Sequence, residues 1–361
     1  MSDVFSKVRS TSERFTQPLI IFALFLILLA CATRSHDVVA DEPTPVRPPV
    51  ADSEKSFRGT LLKPGAHDGE FDFETKLMHG TIRLGGAYHG VSELVDKRTG
   101  RQVIDPRYSA LNLFRLMSAN RLMGQPRQME RTTKTVENWV EVTWPATESH
   151  KADLTARYEV VPPNAIDVTV TVKSAGTYAG YELFMSSYFD KTLRPLIHLD
   201  PGPRKAPSVV VPTVNDVFRG TLLVFPRDAH AARLGLDGRW DPRTIQLTPV
   251  RHYLHCMALL TDPSDQLGAV LMSHPSDCFA ISTRYHADND ADRLTTYSAF
   301  DLSLFGSDAL PGDVQTVRVR LALTALDGEM SEPLKMYRAF IAETNRERRQ
   351  SKQSPRKGAT P

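Results

Sequence analysis

Two side chains with chemical potential lie at the end of one predicted strand. Tyr188 closes the run Tyr181–Tyr188, and Asp190 follows two residues later. A tyrosine ring can stack on the flat apolar face of a ligand, and a carboxylate can accept hydrogen bonds from two donors. The alternative is structural, with Tyr188 as an aromatic core residue and Asp190 as a turn aspartate. The residues alone leave both interpretations open.

Three further residues are candidates for contacts with a substrate. Arg121 carries a planar fork of donors that suits a hydroxyl or a carboxylate, although a plain surface arginine fits equally well. His198 follows apolar residues in a predicted loop, where a histidine more often packs and forms hydrogen bonds. His255 shares one face of a predicted strand with Arg251 and Tyr253. We therefore predict Arg121, His198 and His255 as substrate-binding residues beside Tyr188 and Asp190.

Several kinds of site lack support in the sequence. His252 and His255 point to opposite faces of one predicted strand, which is poor geometry for a metal ion. No serine lies in a nucleophile-elbow pattern, so a triad hydrolase is disfavoured. Lys and Arg number 44 against 42 Asp and Glu, so the net charge of +2 gives no sign of a basic nucleic-acid surface. We predict no metal, no cofactor and no nucleic-acid partner.

The candidate residues depend on strands for their positions. The segment Leu154–Asp190 is predicted to form strand, turn, strand, loop and strand, because β-branched residues alternate on either side of Pro162-Pro163. Similar strand candidates recur every 8–12 residues, a spacing typical of an all-β sandwich. Only Met330–Arg349 has apolar residues at helical spacing. The predicted fold is all-β: a large antiparallel β-supersandwich with one C-terminal helix.

Three segments carry more specific expectations. Leu111–Met123 is compatible with a short helix or with a strand plus loop. Pro195–Pro212 is proline-rich and predicts a long ordered loop. Arg233–Leu236 is predicted as a strand. Cys256 and Cys278 either pair or remain free buried thiols.

The N-terminal region has the pattern of an export signal. Lys7, Arg9 and Arg14 precede the apolar run Leu19–Ala32, which is short for a membrane-spanning helix. Leu28–Cys31 resembles a lipoprotein box, in which Cys31 is lipidated. A cleaved signal, a lipoprotein and an uncleaved anchor all remain open. Each of them places the globular part outside the cytoplasm, in the periplasm, on the envelope or in the medium, with the N-terminus as the contact to the membrane.

The boundaries follow from composition. Residues 1–32 form the signal peptide or anchor, and residues 33–55, rich in proline and acidic residues, form a disordered tether. Residues 56–328 form the β-sandwich, and residues 329–349 the C-terminal helix. Residues 350–361 form a disordered tail.

Five short blocks in a fixed order carry a resemblance to a known family. They are Gly85–Arg101, Ala119–Arg121, Ser187–Asp190, Val211–Thr213 with Arg219–Thr221, and Leu310–Asp313. Together they span roughly residues 70–325. In this order they resemble the galactose mutarotase-like family, which includes the aldose 1-epimerases. The resemblance implies a β-supersandwich with a sugar cleft.

The catalytic residues of that family are not matched. The resemblance implies two histidines and a glutamate, but Leu122–Val136 holds no histidine, Ser186 stands at the second histidine position, and Met272 stands near the glutamate position. Neither serine nor methionine titrates near neutral pH. We therefore predict an exported or envelope-anchored protein that binds or processes carbohydrate, without classical aldose 1-epimerase activity. If it is an enzyme, isomerase-like or lyase-like chemistry is expected. The alternative is a non-enzymatic structural or interaction module of the cell envelope.

Overall fold

The computed structural model describes residues 60–202, 209–212, 221–262, 264–284, 297–327 and 330–353. They belong to one compact unit, Ser56–Pro361. The predicted export segment, Cys31 and the tether lie outside the described residues. Across the helices that the structure describes, none combines the length and apolar character needed to cross a bilayer.

Strands make up about half of the described chain and helices much less. The first ten are β1 Lys63–Pro64, β2 Glu70–Glu74, β3 Met78–Arg83, β4 Gly90–Asp96, β5 Arg101–Gln102, β6 Asn112–Ser118, β7 Arg121–Gly124, β8 Thr132–Val136, β9 Trp139–Trp144 and β10 Ala152–Val161. The others are β11 Ala165–Ser174, β12 Glu182–Phe189, β13 Arg194–Leu199, β14 Val209–Val210, β15 Leu222–Pro226, β16 Ile245–Leu247, β17 Tyr253–Asp262, β18 Leu267–Ser273, β19 Cys278–Arg284, β20 Ser298–Phe305 and β21 Val314–Ala325. The α-helices are α1 Ala229–Gly235 and α2 Ser331–Gln353.

The strands form three sheets. The first has five strands in the order β1-β2-β3-β4-β5, and the second has nine in the order β14-β13-β17-β18-β21-β11-β10-β9-β8. The third has seven, in the order β16-β15-β19-β20-β12-β6-β7. One large apolar core receives side chains from all three sheets. The predicted all-β sandwich with a C-terminal helix is confirmed.

Strand β12 is buried on both of its faces. Leu183, Met185 and Phe189 contribute to the main core. Phe184 belongs to a second, smaller apolar cluster on the outer face of the seven-stranded sheet. That cluster is covered by side chains of the segment 221–247, among them Trp240 and Leu247. One half of the outer face is therefore filled by this segment.

A buried ion pair holds the segment 221–247 against β12. Arg239 Nη1 donates to Glu182 Oε2 at 3.0 Å, and both side chains are fully buried. Arg239 also forks onto Asp237, with Nη2 donating to Oδ2 at 2.7 Å. Burial raises the pKa of Glu182, and Arg239 opposes that rise. A charge buried in this way is tolerated only because its partner is present.

Three local expectations are corrected or completed by the structure. The predicted strand Arg233–Leu236 lies largely in α1, whose N-cap Asp228 accepts a hydrogen bond from the Ala231 amide. The predicted loop Pro195–Pro212 contains most of strand β13. Pro195 is tolerated in this strand because it pairs with β17 on one side, while the two-residue β14 on the other side of β13 does not extend as far as Pro195. Leu111–Met123 forms the hairpin β6–β7 rather than a helix, and Cys256 and Cys278 are buried free thiols.

Candidate functional site

Four polar side chains form a row across the outer face of the seven-stranded sheet. Asn112 on β6 lies opposite Ser186 on β12, Ser186 opposite Asp301 on β20, and Asp301 opposite Ser282 on β19. Directly opposed residues of antiparallel strands project to the same face. Each of the four is at most 3% exposed. We call these four residues the polar row.

Part of the polar row has unused hydrogen-bonding capacity. Among the described residues, neither Nδ2 nor Oδ1 of Asn112 has a hydrogen-bond partner, and neither does Ser282 Oγ. The amide offers two donors and accepts at its oxygen. A buried polar group without a partner costs roughly 1–3 kcal/mol. Such groups are rare in native proteins and call for an explanation, and a bound polar ligand is one explanation that fits this face.

Asp301 is the titratable member of the polar row. Burial raises the pKa of its carboxyl to about 7, and Arg284, the Ser186 hydroxyl and the Ser187 backbone amide limit this rise. The carboxyl therefore changes charge near neutral pH. A buried group with such a pKa can donate or accept a proton in a reaction.

Four tyrosines lie together beside the polar row. Tyr108 is the centre of the group, with ring centroids 4.9 Å from Tyr88, 4.8 Å from Tyr188 and 5.1 Å from Tyr297. Tyr188 is buried, and the other three are half-buried. Burial and the nearby Asp301 raise the pKa of Tyr188. We call these residues the tyrosine cluster, which offers aromatic faces next to polar groups.

The elements around the site place the tyrosine cluster. Tyr188 is on β12, two residues beyond Ser186 on the same face. Tyr88 and Tyr108 lie in the connections that precede β4 and β6, and Tyr297 directly precedes β20. Arg107 and Arg284 lie at the edge of the cluster, at 5.2 Å from the centroid of Tyr108 and 5.8 Å from that of Tyr297 respectively.

Of the five predicted substrate-binding residues, the structure places Tyr188 in this site. Asp190 lies in the turn after β12, where its Oδ1 accepts from the Thr192 backbone amide and from Arg101. Arg121 begins β7 at the end of the sheet where β6 pairs with Glu182, about 20 Å along β12 from Tyr188. The exposed Arg121 donates to the Ser149 carbonyl at 3.2 Å. The structure therefore does not bring Arg121 and Tyr188 together.

The two predicted histidines lie near each other, but on strands β13 and β17 of the nine-stranded sheet. The ring centroids of His198 and His255 are 5.8 Å apart, and His255 lies 5.3 Å from Tyr337 of α2. Burial lowers the pKa of both histidines. Two neutral rings packed under a helix fit the structural interpretation that the sequence left open. Within the described residues, no group of three or more potential ligands could hold a metal ion.

Several residues of the site were missed by sequence reasoning. Asn112 and Asp301 each interrupt an apolar strand, in Leu111-Asn112-Leu113 and Phe300-Asp301-Leu302. A polar residue that is isolated between apolar neighbours is a signal that such reasoning can use. Tyr88, Tyr108 and Tyr297 lie outside strands and carry no comparable signal.

Comparisons with known proteins give a likeness of fold. No protein-family model and no curated protein sequence matches the chain. A solved structure of a proposed aldose 1-epimerase from Escherichia coli K12 is 9% identical, covers 72% of this chain and 100% of its own, and has a TM-score of 0.45. The GalM/aldose epimerase homologue from C. elegans is 9% identical, covers 72% and 99%, and has a TM-score of 0.42.

A third structure belongs to a different class of enzyme. Heparan sulfate lyase from Pedobacter heparinus is 11% identical, covers 73% of this chain and 36% of its own, and has a TM-score of 0.39. At such identities the likeness concerns the fold alone, and the substrate named for each protein stays with that protein. Aldose epimerase-like structures are thus among the solved structures to which this chain is similar, at TM-scores of 0.45 and below.

Proposed function

We propose that this protein binds a carbohydrate on the outer face of its seven-stranded sheet. In this proposal the ligand displaces the groups that now cover the polar row, which is at most 3% exposed, and its ring lies beside the tyrosine cluster. The observation that carries the proposal is the buried, unpaired amide of Asn112 on a face that also holds four clustered tyrosines.

The chemistry of a sugar matches both parts of the site. Hydroxyl groups donate and accept, so a sugar hydroxyl can satisfy the donors and the acceptor of the Asn112 amide. The C–H face of a sugar ring can pack against aromatic rings such as those of Tyr108 and Tyr188. A purely apolar ligand would use the tyrosines and leave the polar row unpaired, at a cost in free energy.

Processing of the bound sugar would use Asp301. Its carboxyl gains and loses a proton near neutral pH and lies next to Tyr188. In an isomerisation it would accept a proton from one atom of the sugar and return it to another. In an elimination it would accept the proton of a ring carbon and pass it to the oxygen that leaves as the C–O bond breaks. The N-terminal signal supports a second part of the proposal, that the protein works outside the cytoplasm. Cell fractionation tests this part, and recovery of the protein in the cytoplasm alone would contradict it.

The test of binding uses Asn112→Leu. This change keeps the branching and the number of side-chain heavy atoms and removes polar atoms that have no partner among the described residues. Leucine is bulkier than asparagine, so urea denaturation must first show that the variant is folded. Affinity for a sugar identified on a glycan array should fall about tenfold in calorimetry, as expected for the loss of hydrogen bonds from a buried amide. Asn345→Leu on α2 is the matched control and should bind normally. Normal binding by Asn112→Leu would exclude the polar row as the site.

Mutarotase activity on glucose or galactose is expected to be negligible. Ring opening needs a general acid and a general base, each typically worth about 10²–10⁴ in rate. Ser186 stands where the resemblance places a histidine, and it lies on β12 within the polar row. Polarimetry should show mutarotation at the spontaneous rate. Acceleration in proportion to protein concentration would contradict this expectation.

A further inference from the structure

A pair of arginines flanks one aromatic ring at the edge of the candidate site. The guanidinium carbon of Arg115 lies 5.4 Å from the ring centroid of Phe114, and that of Arg127 lies 4.4 Å from the same centroid. Arg115 also lies 5.2 Å from the ring centroid of Trp240. Both arginines are half-buried. We call Arg115 and Arg127 the arginine pair.

Neither arginine of the pair is neutralised. Among the described residues, no carboxylate lies within ion-pair distance of either, and Arg115 Nε is buried without a hydrogen-bond partner. Within the part of the chain that the structure describes, Arg127 donates to the neutral amide oxygen of Gln125, at 3.0 and 3.1 Å, and to no carboxylate. Burial lowers the pKa of Arg115, and repulsion from Arg127 and Arg284 lowers it further. Among the described residues, the arginine pair therefore carries positive charge that no carboxylate balances.

Several other arginines of this chain are paired with an aspartate close to them in the sequence. Four of them fork onto the aspartate two residues earlier: Arg98, Arg107, Arg239 and Arg243. Arg115 has Leu113 at that position, and Arg127 has Gln125. The nearby Glu182 is already held by Arg239, and Asp301 is buried in the polar row. The positive charge is thus left available on the sheet face.

The arginine pair is close enough to the polar row to share one ligand with it. Arg115 lies opposite Phe184, which is two residues from Ser186 on the same face of β12. Two residues along a strand span about 7 Å, close to the width of one sugar ring. The charge of Arg115 also acts on Asp301 and Tyr188.

We propose that the ligand is an anionic saccharide, whose acidic group is bound by Arg115 and Arg127 while its ring lies against the tyrosine cluster. This inference rests on the proposed carbohydrate site and names the class of its ligand. A guanidinium binds a carboxylate, sulfate or phosphate through two parallel N–H donors. Charged hydrogen bonds formed away from bulk water are also the stronger ones.

The test compares matched sugars on the full chain. A glycan array presents neutral glucosides with their uronate, 6-sulfate and 6-phosphate counterparts, and calorimetry then measures the best neutral and acidic pair. The acidic member should bind about tenfold or more tightly, and Arg115→Gln should lower the affinity for the acidic member about tenfold more than the affinity for the neutral member. The arm with the tightest binding identifies the acidic group. Arg157→Gln is the matched control, because Arg157 also stacks on a ring, 4.1 Å from Trp139, at a distant strand pair.

The outcomes separate this inference from the proposed function. Equal affinity for neutral and acidic sugars, or an equal loss of both in Arg115→Gln, would overturn the anionic ligand and leave the carbohydrate site standing. Absence of binding to every sugar on the array would overturn both. A preference for acidic sugars that survives in Arg115→Gln would contradict the inference, because the acidic group would then bind elsewhere. Loss of that preference in Arg157→Gln would locate its binding site near Arg157.

Discussion

Arg239→Ala is expected to lower the free energy of unfolding by about 3–5 kcal/mol, the range for removing one partner of a buried ion pair. The change leaves Glu182 without a counter-charge in a fully buried position. It also removes the fork onto Asp237 that fixes the segment 221–247. Because this segment covers the outer cluster around Phe184 and Trp240, part of the sheet face should open as well. Urea denaturation followed by circular dichroism measures the effect.

Arg243→Ala is the matched control for this change. Arg243 forks onto Asp241 with the same spacing, and its Nη2 donates at 2.7 Å, but its side chain is 88% exposed. Solvent screens such a pair, so the urea midpoint should not move measurably. Equal losses in the two variants would show that the local fork, and not the buried charge of Glu182, determines stability. That result would contradict the role assigned to the Glu182–Arg239 pair.

Asp301→Asn is expected to stabilise the protein at pH 8. Burial raises the pKa of the folded-state carboxyl from 3.8 to about 7, so the folded protein binds a proton that the unfolded chain releases. The unfolding free energy therefore falls as pH rises from about 4 to about 7. At 1.36 kcal/mol per pKa unit the accumulated cost is on the order of 4 kcal/mol above pH 7. Asparagine carries no such charge, so the gain should be largest at pH 8 and small near pH 4.

Unfolding curves of the wild type and of Asp301→Asn at pH 4, 5 and 8 test this expectation. The comparison across pH is an internal control. Loss of packing in Asp301→Asn would change its unfolding free energy, relative to the wild type, by the same amount at every pH. A variant that is less stable at pH 8 than the wild type would contradict a costly buried carboxylate. A pH-independent difference would contradict it as well.

The cost of Asp301 bears on function. A carboxyl that reduces stability at neutral pH is retained where its charge or proton is used. The unpaired amide of Asn112 is a second cost on the same sheet face. Both costs fall in the polar row, and the uncompensated charge of Arg115 lies beside it. These features agree with a site that is completed by a polar ligand.

The fold could be predicted because its signals are local. Alternation of Val168, Val170 and Val172 against polar residues defines β11, and its pairing with β10 follows from the short turn between them. The helix α2 is evident from apolar residues at helical spacing, Tyr337 and Phe340 among them. Such features need only a few neighbouring residues, so a single sequence contains them.

The site could not be predicted as a whole, because its residues meet through the order of strands in a sheet. Asn112, Ser186, Ser282 and Asp301 come from β6, β12, β19 and β20, and only the neighbours β19 and β20 are consecutive in the chain. Tyr188 could be placed on the sheet because it lies near the end of a strand that the sequence shows clearly, and its role in binding stays a prediction. Arg121 was grouped with it, but β6 runs antiparallel to β12, so the hairpin to β7 begins at the far end of the sheet.

The most direct test of the central claim follows the side-chain amide of Asn112 by ¹⁵N NMR during titration with an array-identified sugar. The signal is assigned by its loss in Asn112→Leu, and the Asn345 amide on α2 serves as the reference. We expect a saturable shift of the Asn112 signal with the same dissociation constant that calorimetry gives, and no shift for Asn345. A sugar that binds by calorimetry while the Asn112 signal stays unchanged would contradict a carbohydrate site on this sheet face.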